Sequence, residues 1–250
     1  MPFTFLAHQA AVLPLKWSRP RWFSGTALVI GSMAPDFEYF LRGEAWSSLG
    51  HTLAGQLVFC LPLTLACVWL VHHVIARPLA ERLPDLGLLH LRDYAALETA
   101  RLDASFWARA ALSAVLGSLS HVAWDGFTHG DGWAVLRIPA LAEDVGGVPL
   151  YKLLQQGSTL VGTALTLGLL ALIGRSREHD APRLPRASAS GLLTLVVVFA
   201  ALGVFVAVLE QHDAGTTRLA VGAFLRGTLG GFVGLALGCL AASHTRVQGT

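Results

Sequence analysis

Four apolar stretches, each of about 20 residues or more, constrain this chain more than any other feature. They are LAGQLVFCLPLTLACVWLVHHVIA (53–76), YKLLQQGSTLVGTALTLGLLALIG (151–174), GLLTLVVVFAALGVFVAVL (191–209) and LAVGAFLRGTLGGFVGLALGCLAAS (219–243). A helix of about 20 apolar residues crosses the hydrocarbon core, where the backbone must satisfy its own hydrogen bonds. Each run is therefore expected to span a membrane as a helix. A fifth run, FWARAALSAVLGSLSHVAWDGF (106–127), is long enough but ends in polar residues. A sixth, GTALVIGSMAPDFEYFL (25–41), is shorter and broken by Pro35-Asp36. The first fifteen residues are too short to span and are expected to be re-entrant or interfacial. Composition agrees, with 54% hydrophobic and 14% charged residues, against about a quarter charged in a soluble domain. The expected fold class is an all-α polytopic membrane helix bundle of about five to seven transmembrane or half-spanning helices. It is read as a single transmembrane domain over 1–250, with site-bearing helices in 1–174 and two C-terminal spans in 188–243.

Several function classes fall away. The net charge is only +2 and no basic run is present, so nucleic acid is not an expected partner. Cys60, Cys67 and Cys239 sit in apolar runs without CxxC spacing, which argues against a thiolate zinc site or a disulfide framework. No phosphate-binding glycine loop or nucleophile elbow sits in a strand-to-helix context. The N-terminus lacks the basic region and cleavage site of a signal peptide and reads as mature sequence.

Arginine distribution gives an orientation. KWSRPR (16–21), the loop from Arg77 to Arg109 and RSREHDAPRLPR (175–186) are the basic connections, expected on the cytoplasmic side. The segments 130–147 and 210–217 are acidic or neutral and are expected outside. The localisation implied is the cell's inner (plasma) membrane. Asp36, His51, His121, Asp125 and His129 then share one depth, near the extracytoplasmic face.

SHVAWDGFTHGDGW (120–133) is the densest polar stretch at the end of an apolar run. His121, Asp125 and His129 fall at i, i+4 and i+8, on one face of a helix. Such side chains can hold a divalent ion. His121 and His129 would stand about 12 Å apart along a straight helix at 1.5 Å per residue. Either Asp125 bridges two ions, or the helix breaks at Gly126 and swings His129 inward. The plainer reading is a polar helix end with His121 bonded to backbone. A group of ionisable residues at membrane depth is costly unless paired, which favours the metal reading. Asp36 follows a helix-breaking proline and reads as a ligand or as a snorkelling acid. His51 opens a span and reads as a ligand or an interfacial cap. His8 is a lone histidine in an apolar run. Mixed nitrogen and oxygen donors suit Zn, Mn or Fe rather than Ca.

Further charged positions have two readings each. Glu38 is a candidate general base or an outer partner of the metal ligands. Arg226, inside the last span, is either a clamp on substrate phosphate or paired with an acid such as Glu38. Lys152, in PLYKLLQQGS, carries the same pair of readings. His72, His73 and His90 read as interfacial.

MPFTFLAH and AAVLPL, then ALVIGSMAPDFEYFL, GHTLAG, GSLSHVAWDGFTH and PLYKLLQQGS, in this order, resemble a bacterial family of integral membrane proteins without an assigned function. More loosely, the succession of a leading His, a Pro-Asp, a His-Thr and a His-x-x-x-Asp is similar to the LexA-regulated inner-membrane family of metal-dependent hydrolases. It is also similar to bacterial zinc-dependent phospholipase C, an all-helical enzyme with His, Asp and Glu on a metal cluster. The resemblance implies a metal set of His8, Asp36, His51, His121 and Asp125, with His129 added. The chain departs from the hydrolase pattern at Phe37-Glu38, where that family has a further His or Asp. It departs again at Leu49-Gly50-His51-Thr52, where the family has Arg-x-x-x-His-Ser.

The function expected is a membrane-embedded enzyme using one or two divalent ions, Zn with Mn or Fe as alternatives. Its reaction would be hydrolysis of a phosphoryl or acyl bond in a membrane lipid or other amphiphilic substrate at the outer face, with Glu38 and Asp125 as catalytic residues. The alternatives are a non-catalytic membrane protein with a structural or metal-binding polar cluster, a transporter, or an oxidative or prenyl-diphosphate enzyme.

Overall fold

A computed structural model describes residues 6–83, 91–97, 101–175, 187–211 and 215–247. His90 and the arginines at 177, 183 and 186 lie outside these residues. In chain order the α-helices are α1 (Gln9–Ser18), α2 (Gly25–Gly31), α3 (Phe37–Arg42), α4 (Leu53–Arg82), α5 (Ala104–Thr128), α6 (Leu150–Arg175), α7 (Ser190–Gln211) and α8 (Thr216–Val247). The α4 helix contains two π-helical turns, Gln56–Cys60 and Val71–Ile75. Strand pairing among the described residues is limited to a two-residue hairpin, Asp144–Val145 with Val148–Pro149. The fold is all-α.

Three helices among the described residues are long and apolar enough to cross a membrane: Leu53–Arg82, Ser190–Gln211 and Thr216–His244. The fourth apolar run is helical as α6, and its side chains from 173 onward lie outside the described residues. Apolar side chains cover the outside of these helices, with Leu53 78% and Val197 64% exposed. Lipid tails, not water, suit such a surface. The sixth apolar run breaks where proline predicts, into α2, a 3-10 turn Ala34–Asp36, and α3. The α1 helix carries Pro14 inside it and, at ten residues, is too short to span.

The chain divides into two compact units. The first comprises 1–35, 48–65 and 102–170. Its centre is the packing of α2 on α5. A Cβ on Gly31 would lie 2.6 Å from the Ala114 carbonyl oxygen, and one on Gly117 would lie 2.7 Å from both Leu28 O and Ser32 N. Only glycine lets these two backbones touch. Ser24 caps α2 by accepting from Ala27 N at 3.3 Å, and its own N–H donates to Ser113 Oγ at 3.0 Å, which ties the start of α2 to α5. Asp103 caps α5, accepting from Phe106 N at 2.8 Å.

The second unit comprises 36–47, 66–101 and 171–250. Its framework is the antiparallel pair α7–α8. Cβ atoms on Gly203, Gly230 and Gly234 would lie 2.1, 2.0 and 2.4 Å from the carbonyl oxygens of Arg226, Phe199 and Leu195. Val74, Leu192 and Cys239 form a buried cluster where α4 meets this pair.

Candidate metal centre

His121 and Asp125 stand one turn apart on α5, so their side chains meet. The glycine-mediated approach of α2 brings Ser32 O to 2.8 Å from His121 Nδ1. A carbonyl only accepts, so Nδ1 carries the proton. In a neutral ring this leaves a lone pair on Nε2, which faces Asp125 Oδ2 at 3.2 Å. Two acceptors facing each other at that distance repel unless a cation lies between them.

Three more imidazoles converge on the same carboxylate. His51 Nε2 is 3.4 Å from Oδ2, His8 Nε2 is 3.6 Å from Oδ1, and His129 Nδ1 is 3.7 Å from Oδ1. His8 is held by its neighbours in sequence. Thr166 Oγ1 donates to Leu6 O at 2.8 Å, and Gly162 leaves room for Ala7. The His8 ring then stacks on His121 with centroids 3.9 Å apart. His51 sits before the start of α4. There Gln56 Nε2 donates to Gly50 O at 2.7 Å and Thr52 Oγ1 accepts from Gly55 N at 2.9 Å. Gly50 itself is pressed on Pro35, where a Cβ would come within 2.4 Å of the carbonyl oxygen.

The helix does not break at Gly126. It continues to Thr128, and His129 follows in extended backbone (φ −120°, ψ 141°). One turn beyond Asp125 in sequence, its ring faces that carboxylate through Nδ1 at 3.7 Å. Beyond it the chain folds back: Ala134 N donates to Gly126 O at 3.1 Å, and Trp133 lies over Gly126 where a Cβ would clash. Asp36 ends the turn begun by Ala34 and Pro35. His51, His121 and Asp125 each offer a ligand atom within 4.8 Å of the others, a group that could hold a metal ion.

The donor set fits such an ion. Tetrahedral ligands at about 2.0–2.1 Å from zinc are separated from one another by about 3.3–3.4 Å. The His51 and His121 contacts to Asp125, at 3.4 and 3.2 Å, have that spacing, at or beyond the limit of a good N–H···O bond.

The family model described as a domain of unknown function (DUF4184) matches residues 1–244. The chain belongs to this family. The searches of curated proteins and of solved structures returned no match. The DUF4184 match agrees with the resemblance to a membrane protein family without assigned function and does not bear on the hydrolase relation.

Other residues expected at the site have their own partners. Glu38 accepts from Arg42 Nε at 2.7 Å and from Ser47 Oγ at 2.6 Å. Arg226 makes a two-pronged contact to Glu210, at 2.9 and 3.1 Å, and donates to Leu41 O at 2.8 Å. Its acid is therefore Glu210. Lys152 Nζ donates to Gln155 Oε1 at 2.6 Å, and Gln155 Nε2 lies 3.0 Å from His129 Nε2. Gln155, Gln56 and the Ser32 carbonyl were not singled out from the sequence. A glutamine within an apolar run was the available signal, because its amide is costly there unless bonded.

Proposed function

We propose that this chain is a membrane-embedded, metal-dependent hydrolase that cleaves a phosphoryl or acyl bond of an amphiphilic substrate. The observation that supports it best is the convergence of His8, His51 and His121 on the Asp125 carboxylate. Mixed imidazole and carboxylate donors favour zinc, with manganese or iron as alternatives. A divalent ion held there supplies Lewis acidity at neutral pH. The chain's own residues do the rest. Ser32 fixes the His121 ring, Gln56 holds the backbone beside His51, and Asp125 joins the imidazoles into one site. Exposed Trp124, Trp133 and Leu136 flank the site residues in sequence and suit the acyl part of an amphiphile. The arginine-rich connections support a plasma-membrane protein with this site near the extracytoplasmic face.

Elemental analysis of protein purified in detergent without chelator is the first test, with Asp125→Ala beside wild type at equal folded yield. The expected result is at least one equivalent of zinc, manganese or iron, lost in the variant. The loaded protein is then offered p-nitrophenyl esters and phosphodiesters with long alkyl chains. Hydrolysis abolished by chelation and restored by zinc is expected. Bound metal without hydrolysis would leave a metal-binding module, and no metal in either sample would leave a hydrogen-bonded polar cap.

A further inference from the structure

His129 differs from the other histidines around Asp125 in the nitrogen it presents. His8, His51 and His121 face the carboxylate through Nε2, and His129 faces it through Nδ1. Its Nε2 is directed instead at Gln155, whose side chain is buried at 4% exposure. The orientation of that amide follows from Lys152. An ammonium has donors and no acceptor, so the Gln155 atom 2.6 Å from Lys152 Nζ must be the carbonyl oxygen. The NH2 group then points at His129 Nε2, 3.0 Å away, and this nitrogen must accept. In the neutral ring the proton is consequently on Nδ1, the nitrogen 3.4 Å from Thr128 Oγ1 and 3.7 Å from Asp125 Oδ1.

We infer that Lys152, acting through Gln155, holds His129 as its Nδ1–H tautomer and so keeps it out of the metal's donor set. The clause about the donor set rests on the metal reading above; the tautomer does not. His129 presents a proton to the cluster where His121 presents a lone pair, and the two rings are set by opposite devices. A backbone carbonyl takes the Nδ1 proton of His121, and a side-chain amide occupies the Nε2 lone pair of His129. Lys152 and Gln155 are positioning residues, and His129 is an outer neighbour of the ligands that steadies the Asp125 carboxylate.

The test is 15N NMR of histidine-labelled, metal-stripped protein in detergent, with His129 assigned by its loss in His129→Gln. Wild type and Lys152→Arg, whose guanidinium also only donates, are expected to show His129 protonated at Nδ1 and unprotonated at Nε2. Gln155→Glu offers His129 only acceptor oxygens and is expected to move the proton to Nε2. Lys152→Glu is expected to do the same by turning the Gln155 amide around. An Nε2–H signal in wild type, or an unchanged tautomer in Gln155→Glu, overturns the inference. Elemental analysis follows, with folding checked by size-exclusion profile. His129→Gln is expected to keep wild-type metal stoichiometry while His121→Gln loses it. Loss of metal from folded His129→Gln overturns the donor-set clause. A wild type that binds no metal overturns the metal reading instead, and the tautomer is then judged on the NMR alone.

Discussion

Each unit of the molecule pairs ionisable groups within apolar surroundings, and they do so in opposite ways. In the second unit, Arg226 donates to Glu210 and the Leu41 carbonyl at 2.8 to 3.1 Å, with each partner a good donor or acceptor for the other. In the first, Asp125 is approached by imidazole nitrogens at 3.2 to 3.7 Å, and with His121 neutral one approach sets acceptor against acceptor. The Arg226 arrangement is an ordinary ion pair. The group around Asp125 gathers imidazole and carboxylate donors that could hold a metal ion, and that difference separates a structural ion pair from a candidate centre.

The comparison breaks most directly at its two central residues. Asp125→Asn keeps shape and removes charge; metal affinity is expected to fall by more than about 100-fold, with the size-exclusion profile unchanged. Arg226→Met is expected to do the reverse. It should leave metal content at the wild-type value and cost on the order of 1 kcal/mol, about 2–4 °C in thermal midpoint. If Arg226→Met empties the site, or Asp125→Asn only lowers the midpoint, the distinction drawn between the two is wrong.

A smaller effect is expected where packing, not a ligand, is altered. Gly117→Val would drive a side chain into Leu28 O and Ser32 N, prising α2 from α5. Overpacking of this kind costs about 1–3 kcal/mol. Withdrawing Ser32 O from His121 should weaken metal binding by about 10–100-fold. Competition titration with a chelator measures this, and full affinity in a folded Gly117→Val would show that the Ser32 contact does not orient His121.

Gln56→Leu should act more weakly still. It removes the donor to Gly50 O beside His51, at a cost of about 1–3 kcal/mol for the carbonyl left behind. Cys60 Sγ, 3.5 Å from the same oxygen, limits the damage. A metal affinity within tenfold of wild type is expected from the same titration. A larger loss would promote Gln56 to a principal support of His51.

The spans and the break at Pro35 were legible because length, hydropathy and proline chemistry act locally. Most of the cluster was legible for a similar reason, since ionisable residues stand out against an apolar background. What could not be read was how the groups orient one another. The approach of Gly31 and Gly117 joins positions 86 residues apart, which no local pattern signals. For His129 the sequence leaves two arrangements open, Asp125 bridging two ions or a break at Gly126, and the helix instead runs on to Thr128 with His129 in extended backbone. Gln155 carries no charge and lies in an ordinary-looking run, yet it is the group that meets His129 Nε2 and sets which nitrogen carries the proton.

The smallest effect expected on stability is also the least obvious in sign. Gly126→Ala adds a methyl group within 2.1 Å of Trp133 Nε1, an overlap that cannot stand. Replacing glycine by alanine inside a helix gains about 0.5–1 kcal/mol. Trp133 is 48% exposed and its indole can turn away, at about 0.5–1.5 kcal/mol if it leaves its preferred rotamer. The backbone bonds from Ala134 and Val135 to Gly126 O need not move with it. The two terms nearly cancel, so the thermal midpoint should shift little while Trp133 fluorescence, read as the difference from Trp133→Phe, changes clearly. His121 is held by the Ser32 carbonyl rather than by Trp133, so metal content should be retained. Loss of metal in this variant would mean that the fold-back over Gly126 supports the His121–Asp125 turn itself.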